Sequence, residues 1–447
     1  MIRQGRSSRR LIAATGLLAL GLVAGCGGLR DADGTEAAIA EQAATMPGLT
    51  RGEGQDIGSV ARNGLLMSPS VRESASAVSA SADEVRVSRA ALFPSLGLSL
   101  GAGTGDAGRG DPSLELEGNQ LLLDFGDTKR AVTVADLELQ INYITFQKSV
   151  DDALVEVARA YDAVAVQADL LKVRRTQLAA MRELETLVAE RAASGATASP
   201  DLLEARKRLQ AAEFLVHDTE LALAEARDRL TRLGGQARGG EVRIPPGACA
   251  ARDDSDAMRI ARLRLVQSEL KLERAERAQL PRILLSPVAR SQSGDDGVRL
   301  GLNLGVDSDL LQGGALTARA NAARNSVGGA RAGLEATKLD ADLEARKLQR
   351  DIAAGNRRIE MLNRQIALLG ETRSLYRSQY LDLGTRQLPD LLDNEEEYHN
   401  RRAERIEARS AILASRLQCA VLERSLRQTL GVSGNSLYGF PLAPDAL

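Results

Sequence analysis

The sequence has no tryptophan, and aromatic residues make up only 2% of its 447 positions. A thick core anchored on aromatic rings is therefore excluded. The apolar share of 44% rests on Ala, Leu, Val and Ile, side chains that suit narrow seams between helices. Net charge is lacking too. The 58 basic and 60 acidic residues leave −2, which removes the electrostatic case for a nucleic-acid partner. The two signs are interspersed, as on long solvated helices. Histidine is nearly absent: His217 and His399 are the only two. Each lies in a charged stretch that reads as a solvated helix face, without a second histidine or a cysteine at ligand spacing. No metal, no cofactor and no enzyme activity are expected. The glycine-rich GTGDAGRGDP carries no Lys-Ser/Thr and reads as a turn between strands rather than a phosphate loop. The acidic run Glu395, Glu396, Glu397 reads as another solvated helical face.

The N-terminus is a targeting segment. Arg3, Arg6, Arg9 and Arg10 precede the apolar run LIAATGLLALGLVAG, too short for a spanning helix. The run ends at Val23-Ala24-Gly25-Cys26, which resembles a bacterial lipobox. Residues 1–25 then form a lipoprotein signal peptide, Cys26 is lipidated, and residues 26–59 are a lipidated N-terminal extension. Gly27 stands where an acidic residue would favour inner-membrane retention, so an outer-membrane destination is expected. Cys249 and Cys419 are the remaining cysteines. In an exported chain they could form one bridge or stay as two buried thiols, and sequence alone leaves both open.

Several landmarks repeat in order. GATASPDLLE at 195–204 and GTRQLPDLLD at 384–393 lie 384 − 195 = 189 residues apart. Pro94 and Pro281, and again Gly126 and Gly313, are 187 apart. The chain reads as a tandem duplication: a first repeat over 60–240, a linker over 241–253, a second repeat over 254–432 and a tail over 433–447. Each half runs helix, strand pair, very long helix, tight tip, helix. The strands are expected near 94–103 and 113–123, and near 281–291 and 298–307, from alternation such as SLGLSLG and VRLGLNLGV. Their length suits a tilted membrane strand, and four strands cannot close a barrel alone, so several chains must contribute.

The stretch 127–193 contains neither proline nor glycine. Its seam of Leu154, Val157, Tyr161, Val164, Ala168, Leu171 and Leu178 steps by threes and fours, as in a long coiled coil. A second long helix is expected over 314–381. The repeated phrase then forms tips at 195–201 and 384–390. Gly195 and Gly384 close one helix, Pro200 and Pro389 open the next, and Asp201, Asp390 and Asp393 lie near its positive end.

The lipobox, the paired halves, LFPSLGLSL and LLLDFG before a long helix, and the G-x-x-x-x-P-D-L-L-[DE] tips together resemble TolC-type outer-membrane factors. These are the exit ducts of efflux pumps and type I secretion systems. The resemblance covers about residues 60–432. It implies a mainly α chain with a small membrane β portion, assembled as a homotrimer whose twelve-stranded β-barrel continues into a twelve-helix α-barrel in the periplasm. It further implies a periplasmic adaptor that contacts the tips at Gly195, Pro200, Gly384, Thr385 and Pro389, and an inner-membrane transporter. Asp390 and Asp393 match the family's periplasmic aperture, and Arg386 with Asp201 matches its gate link. The family's best-studied member has a tyrosine at the position of Leu381, so part of that closed-state network is expected to differ.

Overall fold

The computed structural model describes residues 34–101, 104–105, 108–109, 113–196, 198–292, 298–309 and 312–443. The signal peptide and Cys26 lie outside the described residues. Among the described residues α1 (Thr35–Ala44), α2 (Ile57–Met67) and α3 (Pro69–Ala90) come first. Asp56 caps α2 by accepting from the Ser59 amide at 3.1 Å, and Ser68 caps α3 through the Val71 amide at 3.4 Å with Pro69 in the first turn. Strands β1 (Ser95–Gly101) and β2 (Ser113–Leu123) follow. Then come α4 (Asp127–Ala193), α5 (Ser199–Gly234), α6 (Asp256–Glu276), β3 (Arg282–Gln292), β4 (Arg299–Asp307) and α7 (Ala315–Ser378). A five-residue π-helical turn (Gln379–Leu383) leads to α8 (Leu388–Leu422) and the short α9 (Leu426–Thr429). The 67 residues of α4 extend about 100 Å at 1.5 Å per residue.

The four strands make one antiparallel sheet in the order β1-β2-β3-β4. Its register separates two faces. On one, Leu98 lies opposite Leu116, Leu116 opposite Ala289, and Ala289 opposite Leu300. The neighbouring row carries Leu96, Gly118, Pro287 and Leu302, close enough that a Cβ on Gly118 would lie 2.7 Å from Pro287 Cγ. On the other face Ser99, Glu115, Arg290 and Arg299 form one row, with Arg290 and Glu115 paired at 2.6 Å. The apolar face is uncovered: Leu100 is 81% and Leu300 74% exposed. Among the described residues, β1 and β4 each have a partner on one side only.

The helices build the core. Phe146, Val150, Leu154 and Ala158 of α4 pack against Leu65 of α2 and Val71 and Val78 of α3. The C-terminal segment closes this cluster. Phe440 sits 5.4 Å from Phe146, and Tyr143 Oη and Gln147 Nε2 both donate to the Pro441 carbonyl at 3.2 and 2.8 Å. Tyr438 donates to the Leu66 carbonyl at 3.3 Å. Arg427 beneath the tail makes a two-pronged pair with Asp151 at 2.7 and 2.9 Å, both side chains buried. Cys249 of the linker and Cys419 of α8 form a disulfide with Cα atoms 5.0 Å apart, packed against Leu348 of α7.

Because Arg427 has no solvent to turn to, losing its carboxylate partner leaves a buried charge uncompensated. Asp151→Asn is expected to lower stability by about 3–5 kcal/mol, read as a lower thermal midpoint. An unchanged midpoint would mean that the Arg427–Asp151 pair does not stabilise the fold.

Candidate functional site

The two hairpin tips meet in one apolar seam. Leu178, Met181, Leu184 and Val188 of α4 pack with Ala205 and Ala212 of α5, with Tyr380, and with Leu388, Leu391 and Leu392 of α8. Both turns use a left-handed glycine. Gly195 has φ 78° and Gly384 has φ 64°, a region that an L side chain enters only with strain. The Ala196 amide donates back to the Arg191 carbonyl at 2.8 Å, and the Thr385 amide donates to the Gln379 carbonyl at 3.0 Å across the π-helical turn. Pro200 and Pro389 occupy the first turns of α5 and α8. Gly195, Pro200, Gly384, Thr385 and Pro389 are all exposed. So are two large apolar side chains beside them, Leu203 at 71% and Leu383 at 68%.

Around the seam lies a ring of arginines. Arg191 of α4 donates to the Leu381 carbonyl at 3.2 Å, and its guanidinium lies 5.1 Å from the Tyr380 ring centre. At 381, where the family resemblance expects a tyrosine, the contact that Arg191 makes is to the Leu381 backbone. Arg386 stacks 3.8 Å over the Tyr376 ring and pairs with Asp390 at 3.3 Å. Its described contacts are with these two groups and not with Asp201. Asp393 is also engaged. Arg208 of α5 reaches Asp393 at 2.8 Å and Glu204 at 3.0 Å, and it also pairs with Glu396. One side chain of the first hairpin therefore holds two carboxylates of the second. Arg377 of α7 pairs with Glu183 of α4, and Arg174 of α4 donates to Asn400 of α8 at 2.8 Å.

The acidic run and His399 are not a solvated face. Glu395 is 3%, Asn394 7% and His399 0% exposed, whereas His217 and Glu397 are open to solvent. The reason is geometric. At this level α8 lies between α4 and α7, so one stripe of it is covered even though the charges occur at every turn. Glu395 accepts from Arg373 of α7 and contacts His399 Nε2 at 3.1 Å. Burial pushes the Glu395 carboxyl up, but His399 and Arg373 outweigh it and hold it below the ordinary glutamate range. The hydrogen bond from Arg377 likewise lowers Glu183. Among the described residues no cluster of ligating side chains could hold a metal ion, and no helix is long and apolar enough to cross a membrane.

Sequence reasoning located the turns but missed Arg191, Arg208, Arg373 and the burial of His399. Only Arg208 left a local signal, standing four residues after Glu204.

Comparison with known proteins follows the same outline. Residues 61–236 match the family model described as outer membrane efflux protein. The chain is 26% identical over 246 residues to Protein CyaE of Bordetella pertussis. That match takes in 50% of this chain and 52% of CyaE, so the chain spans about half the length of this curated relative. Its fold is similar to that of the outer membrane protein VceC from Vibrio cholerae, with TM-score 0.72, 18% identity, and 85% of this chain and 96% of VceC covered. The Campylobacter jejuni CmeC outer membrane channel aligns with TM-score 0.71 and 12% identity over 87% of each chain. The open state of the Neisseria gonorrhoeae MtrE outer membrane channel aligns with TM-score 0.64 and 16% identity over 85% of this chain and 90% of MtrE.

Glu183 and Glu395 have folded-state pKa values below their unfolded ones. Their stabilisation of the seam is thus complete above the ordinary glutamate value of 4.5 and is lost as pH falls through the lowered values. The stability lost as pH falls below about 4.5, read as thermal midpoint against pH, is expected to be smaller in Glu183→Gln than in the wild type. An equal loss in both would show that this pair does not hold the seam.

Proposed function

We propose that this chain, which belongs to the outer membrane efflux protein family, is the outer-membrane exit duct of a tripartite efflux pump or type I secretion system. The observation that carries this reading is the bare leucine face of the sheet. A soluble sheet buries one face, yet here Leu96, Leu98, Leu100, Leu300, Leu302 and Leu304 are all more than half exposed while the reverse face is polar. Leucines outward and charges inward is the pattern of a barrel wall with lipid outside and water inside. Such a wall tolerates no open edge, because hydrocarbon offers a backbone N–H or C=O no partner. β1 and β4 of neighbouring copies would satisfy one another, and a homotrimer of four-stranded sheets would close twelve strands. The helices would continue the conduit into the periplasm as an α-barrel. The like order of elements in the two halves supports their origin by duplication. Phe93 and Phe125, both exposed at strand ends, would serve as interfacial aromatics in a wall that has few.

Lipidation at Cys26 would add a lipid anchor in the outer membrane. The exposed tips suit a periplasmic adaptor, since Leu203 and Leu383 flank Gly195 and Gly384 and offer apolar contacts. An inner-membrane transporter would supply the driving force, the duct itself being passive. Asp390 and Asp393 from three chains would ring the aperture. In the arrangement observed, Asp390 is paired with Arg386 of its own tip and Asp393 with Arg208 of the other hairpin, so the ring would gain negative charge at Asp393 when the hairpins separate. The Arg386–Asp201 link would then belong to another state or to a contact between chains.

A lipid-anchored periplasmic coiled-coil scaffold is the reading to be displaced. A Cys26→Ser protein exported by a non-lipoprotein signal should stay in the membrane through carbonate extraction and run as a trimer in mild detergent. The duct is falsified if that protein is quantitatively soluble and monomeric without detergent. In planar bilayers Asp390→Ala with Asp393→Ala is expected to raise single-channel conductance and weaken block by multivalent cations. If conductance and block stay as in the wild type, these acids do not line the aperture.

A further inference from the structure

His399 is enclosed on every side. Its ring stands edge-on to Tyr398 at 5.1 Å, none of its surface reaches solvent, and Nε2 lies 3.1 Å from Glu395 Oε1. Glu395 is ionised against Arg373 and can only accept, so Nε2 carries the proton and donates. Nδ1 is then a bare acceptor, and it has no hydrogen-bond partner. The buried Oδ1 of Asn394, on the same helix, has none either. Orphaned polar atoms are uncommon in a settled interior.

A second proton would arrive in an unfavourable place. On its own helix His399 faces Glu395, and Tyr398 beside it is flanked by Arg402. From α7 comes Arg373, which pairs with Glu395 and lies over the Tyr398 ring, with Arg377 already matched to Glu183 of α4. From α4 comes Arg174, bound to Asn400 and drawn toward Glu396 and Glu407. Glu396 is itself held by Arg208 of α5. Glu395 is thus the one carboxylate in direct contact, and it is shared with Arg373. An imidazolium would set a second cation on Glu395, which Arg373 already holds, and would turn the partnerless acceptor Nδ1 into a partnerless donor until the seam rearranges.

We propose that His399 is an acid-operated release of the tip seam: taking up its second proton parts α8 from α7 and α4, so the tips open more readily as the periplasm acidifies. This rests on the duct reading for its consequence but not for its chemistry. The two cysteines of the described chain are bridged and only two histidines exist. Histidine is the side chain that ordinarily changes charge between about pH 7.5 and 5.5, and burial also raises the carboxyls of Asp151 and Asp162, so substitution of each histidine in turn decides the source. A transition in that range is separate from the carboxylate loosening expected below about 4.5.

The test uses the full-length assembled protein in two measurements, hydrogen exchange of residues 388–400 corrected for intrinsic rate, and planar-bilayer recording. Wild type and His217→Gln are expected to exchange about threefold faster or more at about pH 5.5 than at 7.5, the ceiling being about tenfold per pH unit for one proton. His399→Gln, which keeps a polar side chain that does not titrate, should be flat. Should that variant fail to fold, Arg373→Gln leaves His399 in place and removes the neighbouring charge, and its response should shrink. Flat exchange in the wild type, or an unchanged response in His399→Gln, overturns the proposal. An exchange response that follows His399 without any conductance supports the release and sinks the duct. Conductance with flat exchange does the reverse.

Discussion

A strand edge is half of an interaction. β1 and β4 each spend one row of backbone donors and acceptors on a neighbour and leave the other row facing outward. In water that row would be hydrated, but the leucines beside it make water the wrong medium, since both the apolar face and the open edge are offered to the same surroundings. Much else in the proposed assembly follows from resolving that conflict with further copies of the chain. Long helices held in fixed positions above the sheet become the staves of a tube, and the hairpin tips become its far end. The polar row of Ser99, Glu115, Arg290 and Arg299 becomes an inner wall.

How much of this could be read from the chain depended on whether a feature was local. The extent of α4 was legible because nothing between 127 and 193 breaks a helix, and the structure runs one helix from Asp127 to Ala193. The tips were legible because a left-handed glycine followed by a proline five residues on is a local instruction for reversal, and Gly195 and Gly384 adopt it. Contacts between hairpins were not legible. Arg208 and Asp393 lie 185 residues apart, and no periodicity states which turn of one helix faces which turn of another. His399 was misread for a related reason. Charges at Glu395, Glu396 and Glu397 suggest solvent, but two of them are matched by arginines from other helices, and the covered stripe is hidden in the pattern. Helix α1 and the docking of Phe440 on Phe146 left no signal beyond a few alanines and one aromatic residue.

The seam between the tips is held by two kinds of contact with different responses. Its leucines and alanines attract without direction and tolerate sliding. Its arginines demand particular partners, and several hold more than one at once, as Arg208 does with Glu204, Asp393 and Glu396. A joint of this kind is stiff until a partner changes charge or is replaced, and then has an apolar surface on which to move. The π-helical turn at Gln379–Leu383 and the unpartnered Tyr380 hydroxyl lie within the same joint, where departures from regular helix geometry often accompany function.

The bridge between Cys249 and Cys419 spans 170 residues of sequence. It closes a covalent loop that contains β3, β4, the whole of α7 and the second tip. A protease that severs the exposed turn at Gly384 would therefore release nothing. Both fragments would stay covalently joined under oxidising conditions and would run as separate chains only after reduction and denaturation, so the molecule can be nicked at an exposed turn and still hold together as one piece.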